Sequence, residues 1–103
     1  MYLRITATSA ELVDPADVRA FSVRTPADLD REGLAVAAEK HELGEVLPDG
    51  EHLMIPLETV RRMAEGRVGA DWPADFQKMV DYATSKGWAS ADGTAVRAHV
   101  ERE

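Results

Sequence analysis

Cysteine is absent from the 103-residue chain. Disulfides, thiolate metal sites and a cysteine nucleophile are therefore excluded, and the absence is compatible with a reducing compartment. Long apolar runs are missing too: nothing approaches the roughly 18 consecutive apolar residues of a membrane-spanning helix. The opening MYLRITATSA lacks the charged head and apolar middle of a secretory leader. A cytoplasmic protein is expected. Asparagine is also lacking, and arginine outnumbers lysine nine to three, a usage in keeping with a GC-rich bacterial genome and without functional weight. There is no P-loop, no dinucleotide-binding glycine pattern, no HExxH, and no serine in a nucleophile-elbow context. No low-complexity stretch or linker interrupts the chain, so one domain, 1–103, is expected.

What is present is enough apolar residue, 45%, to bury a core, with 30% charged residues around it. The net charge is −7. Residues 1–56 hold eleven acids against five bases, and residues 57–103 eight against seven, so the acidity sits in the first half, mostly between Asp28 and Glu51. That field repels nucleic acid and anionic membrane and favours a basic partner, or simply keeps the surface solvated.

The strongest local pattern runs from Trp72 to Glu101. Trp72, Phe76, Met79, Val80 and Ala83 recur at helical spacing, opposite Asp75, Lys78, Asp81 and Lys86. Asp71 is placed to cap, Pro73 suits the first turn, and Gly87 suits a left-handed stop after which Trp88 folds back near Tyr82 and Ala83. Asp92-Gly93 is a type I′ hairpin pair, setting Ala91 opposite Thr94, Ser90 opposite Ala95 and Ala89 opposite Val96. The return strand alternates, with Val96, Ala98 and Val100 on one face and Arg97, His99 and Glu101 on the other.

Upstream, Met1 to Ser9 alternates as a strand with Leu3 and Ile5 inward. Val13 to Val18 carries a helix-start pattern that competes with an extended reading of Val18 to Arg24. One short turn leading into a strand near Phe21–Arg24 reconciles them. Thr25-Pro26-Ala27-Asp28 predicts a helix with Thr25 as N-cap, running to about Lys40. Pro48-Asp49-Gly50 predicts a turn, His52–Ile55 a strand, and Pro56 the start of a helix with Leu57, Val60 and Ala64 inward, stopped by Gly66. Pro-Ala-Asp recurs at Pro15, Pro26 and Pro73 with unrelated flanks, which is one capping solution used three times, not a repeat.

The expected fold is α+β: a small, mostly antiparallel sheet with two to three helices packed on one face, the C-terminal helix followed by a β-hairpin. No catalytic, cofactor-binding or metal-binding residues are assigned. His41, Glu42, Glu45 and His52 lie close in sequence, but Gly44 breaks any common helix face. His99 between Arg97 and Glu101 has the layout of a base with an orienting carboxylate, and equally that of a surface charge ladder. Trp72 and Trp88, at the two ends of one helix, are expected in core or rim packing. The order helix, longer helix, hairpin is that of a winged helix-turn-helix, but the Gly66–Trp72 link is long and the longer helix carries no basic stripe. The expected role is a non-catalytic domain that binds a protein partner or itself, with Arg97, His99 and Glu101 as the possible interaction face and the C-terminal strand as a possible pairing edge. The alternatives are a winged-helix DNA-binding regulator and a small metal- or histidine-dependent enzyme.

Overall fold

A computed structural model describes all 103 residues. The chain is α+β. In order it forms β1 (Tyr2–Ile5), β2 (Ala10–Val13), β3 (Ser22–Thr25), α1 (Arg31–Lys40), β4 (Glu45–Val46), β5 (His52–Pro56), α2 (Leu57–Ala64), α3 (Trp72–Ser85) and β6 (Ala95–Arg102). The six strands make one sheet in the order β2-β1-β3-β6-β5-β4. The inward strand residues Leu3, Ile5, Val23, Leu53, Ile55, Val96 and Ala98 share one core with Leu34, Val60 and Phe76 of the three helices. The helices therefore cover one face, α1 against β1 and β4, α2 against β2 and β5, α3 against β6.

The sheet is mixed, not mostly antiparallel. β2 folds back on β1, and β5 is antiparallel to both β4 and β6, but β3 runs parallel to both β1 and β6. The reason lies in the Asp14–Ala20 connection. Asp14 leaves β2 in the left-handed region at φ +51°. A single turn follows, closed by the Asp17 N–H on the Asp14 carbonyl at 3.0 Å. The Met1 ammonium donates to the Asp17 carbonyl at 2.8 Å, and the Trp72 indole N–H to the Pro15 carbonyl at 2.6 Å. Pinned from both sides, the connection returns the chain to the start of β1, so β3 sets off in the same direction.

The Thr25 N-cap expectation is corrected. Thr25 is the buried last residue of β3, and its carbonyl accepts from the Glu103 N–H at 2.9 Å. Its backbone belongs to the ladder with β6, so α1 starts six residues later than Thr25, at Arg31. Asp30 is the cap, accepting from the Gly33 N–H at 2.7 Å. The Lys40 end is as expected.

α3 buries Trp72, Phe76, Val80 and Ala83, the expected stripe. Asp71 makes no side-chain capping bond. The other end is a full Schellman motif: the Trp88 N–H reaches the Ala83 carbonyl at 2.9 Å and the Gly87 N–H the Thr84 carbonyl at 3.0 Å, with Gly87 at φ +79°.

The hairpin expectation is half right. Ser90 does face Ala95, and Ala89 bridges Val96. But Asp92 lacks the positive φ of a type I′ turn; only Gly93 has it, at +74°. The arm before the turn contributes a single bridge, because the Schellman turn holds Trp88 on α3. The C-terminal element is the single strand β6, flanked by β3 and β5. It is central, so it leaves no edge for pairing. The edges are β2 and the two-residue β4.

Two carboxylates order the loops they sit in. The Ser90 and Thr94 hydroxyls and the Thr94 N–H hold the Asp92 carboxyl down to about 2, and Arg19 holds that of Asp17 to about 2. Both values are depressed on folding, so both groups stabilise the fold above the ordinary carboxylate range. That contribution is lost as pH falls from about 4 to about 2. The urea midpoint should drop across this window, and a D17N/D92N double variant should drop less. Equal acid sensitivity of the two proteins would contradict this account.

Candidate functional site

The sheet has helices on one side only. Its other side is built from the outward-pointing residues of each strand, since parity sends alternate residues to opposite faces. The register aligns Tyr2, Ser22, His99 and His52 in one row across β1, β3, β6 and β5. Arg4, Arg24 and Glu101 form the next row, and Arg97 sits opposite Met54. Arg97, His99 and Glu101 thus all stand on the helix-free face.

They do not act as one group. Glu101 turns to Arg24, with the Arg24 Nε 3.4 Å from its carboxylate. Arg4 reaches Glu11 at 3.6 Å and Glu103 at 3.5 Å, and the Arg24 guanidinium lies 4.0 Å over the Tyr2 ring. The β1 side of the face is therefore a ladder of paired charges. No carboxylate orients His99.

His99 instead meets His52, its cross-strand partner, edge to face with ring centroids 5.1 Å apart. The His52 Nδ1 is 2.7 Å from the Asp49 carboxylate, which fixes the ring. The Glu51 N–H and then His52 hold the Asp49 carboxyl below its usual range. Phe21, Trp88 and Arg97 complete a basin of about 230 Å3 with the two imidazoles. Adjoining it, the same three residues share a crevice of about 110 Å3 with Arg19, Met79, Tyr82 and Val96. The Trp88 ring meets Tyr82 edge to face at 6.0 Å, and the Arg97 guanidinium lies 6.0 Å from the Trp88 ring. Trp88 is 37% exposed and Tyr82 57%, whereas Trp72 is core, stacked on Phe76 at 4.7 Å. Core and rim are where the two indoles were expected.

No family model matches this chain, and no curated protein or solved structure matches it.

His41, Glu42, Glu45 and His52 are not gathered into a donor set, and no three histidine or carboxylate side chains converge anywhere. Glu42 pairs with Arg62 at 3.1 Å. A hollow of about 440 Å3 lies between α2 and α3, lined by Arg61, Arg62, Val68 and Trp72 among others. Its arginines are tied to Glu58 and Glu42. The stretch aligned above with a winged helix places its return strand in the middle of the sheet, where nothing projects as a wing. No helix is long and apolar enough to cross a membrane.

Sequence reasoning missed Phe21 and Trp88 as neighbours of Arg97 and His99. Parity did hold one signal: with Leu53 and Ile55 inward, His52 must share the outer face of β5, on the side where His99 lies.

Proposed function

We propose that this protein is a non-catalytic cytoplasmic interaction domain that binds another protein, or a second copy of itself, through the helix-free face of its sheet. The observation that carries this reading is the one-sided covering of the sheet, which leaves Tyr2, Arg24, Arg97 and the two histidines on an open surface, with Phe21 and Trp88 at its border. Aromatic residues and arginine are the types that anchor protein interfaces, because they combine large contact area with a polar handle. Cysteine-free composition supports the cytoplasmic placement.

The test is site-specific photo-crosslinking. A benzoylphenylalanine in place of Ser22, at the centre of the face, is expected to give protein adducts in the native cell, while one in place of Asp81 on the outer surface of α3 does not. Sedimentation of the purified chain separates self-association from a foreign partner. A strictly monomeric species at high concentration, together with no adducts from position 22, overturns the proposal.

A further inference from the structure

The two hollows around Trp88 differ in character, and that difference defines an occupant. The basin is polar, with an arginine and two imidazoles; the crevice adjoining it is mostly apolar, with Met79, Tyr82 and Val96, and Arg19 also lines it. Each alone is smaller than the roughly 300–1,000 Å3 of small-molecule and cofactor sites and is sized for a side chain. They share Phe21, Trp88 and Arg97, so the two side chains they accept are neighbours on one segment.

Charge fixes the second of those side chains. Arg97 enters none of the molecule's ion pairs, whereas Arg4, Arg19 and Arg24 are each paired with a carboxylate. An incoming carboxylate therefore gains most at Arg97, whose guanidinium lies 6.0 Å from the Trp88 ring and is held by no carboxylate of the chain. His99 sits two residues along the same face. Nearby Asp49 is engaged with His52 and does not reach Arg97. The net charge of −7 repels a run of acids at long range, so one carboxylate fits this surface and a polyacidic tail does not.

We propose that this double hollow recognises a partner segment carrying one carboxylate beside a large apolar or aromatic side chain: the apolar group enters the crevice and the carboxylate meets Arg97. This rests on the interaction reading above and names the chemistry of the partner.

The test uses the full chain labelled with 15N and an acetylated, amidated Ser-Gly-Leu-Phe-Glu-Gly-Ser peptide. Saturable shifts are expected at the Trp88 indole N–H and the backbone amides of Phe21, Arg97 and His99. The Trp72 indole, bonded to Pro15 in the core, is the internal control for folding. Glutamine in place of the peptide's glutamate, or Arg97→Ala in the protein, should weaken binding about tenfold, and Trp88→Ala by as much or more. Serines in place of Leu-Phe should abolish it. Equal binding of the glutamine peptide, an unaffected Arg97→Ala variant, or shifts centred between α2 and α3 would overturn the proposal. Should the peptide fail while adducts from position 22 persist, the partner chemistry falls and the interaction face stands. Loss of both removes both.

Discussion

Alanine in place of Gly44 should destabilise the protein by more than about 3 kcal/mol, a large share of the roughly 5–15 kcal/mol that holds a domain folded. Gly44 sits at φ +89°, where a side chain costs about 1–2 kcal/mol before any contact is counted. A Cβ there would also lie 1.8 Å from the Met54 carbonyl oxygen and 3.0 Å from Pro56 Cδ. Backbone cannot yield at such a distance, so β4 must leave β5 or the preceding residue must move. That residue, Leu43, is fully buried and donates its N–H to the Ala38 carbonyl at 2.8 Å. Exposing it forfeits about 1.5–3 kcal/mol more. Gly66 is the control. Its φ is +77°, but nothing lies within 4 Å of the added methyl, so Gly66→Ala should cost only about 1–2 kcal/mol. Urea unfolding followed by tryptophan fluorescence separates the two, and equal losses would mean that the β4–β5 contact does not exist.

Phe76→Ala should cost about 3–5 kcal/mol and lower the melting temperature by more than about 15 °C. Phe76 is the largest fully buried side chain. It stacks on Trp72 with the rings 10° from parallel, and the Arg61 guanidinium lies 5.4 Å from its ring centroid. Removing the ring leaves a void that Trp72 cannot fill, since its indole is anchored to Pro15. Phe76→Leu keeps most of the volume and should cost less than about 1.5 kcal/mol. Calorimetry of the two variants checks the ratio; a mild alanine variant would place the core elsewhere.

These effects separate what the chain announces from what it conceals. Periodicity carried the inward stripe of α3 and the parity of β1, β5 and β6, because which residues face inward is a local property of 3.6- and 2-residue repeats. The Gly87 stop and the Gly50 turn were legible for the same reason: each demands a left-handed residue at one position. Thr25 shows where local reading fails. Its side chain and the following proline favour a cap, but its backbone had a second suitor in β6, some 75 residues away in sequence, and the ladder won. Strand direction is likewise non-local. Nothing within Ser22–Thr25 tells whether it lies with or against β1; the bonds from Met1 and Trp72 to the Asp14–Ala20 connection decide it.

The candidate site was legible in proportion. Alternation along β6 placed Arg97, His99 and Glu101 on one face, and the sheet keeps them there. Their partners come from elsewhere: Arg24 draws Glu101 away, while Phe21, His52 and Trp88 arrive from three other segments. The hairpin register implies Trp88 opposite Arg97, but no pairwise spacing encodes the arrival of Phe21 and His52.

The central place of β6 bears on how the polypeptide is made. A ribosome releases β1, β2 and β3 first and β4 and β5 later, and neither ribbon has its neighbour until residues 95–102 emerge. Until then two raw borders, at Ser22–Thr25 and His52–Pro56, stay open to any other extended chain. Elongation stalled within α3 therefore yields a nascent product with two adhesive margins, and chaperone demand is concentrated in the interval before the final strand slots between them.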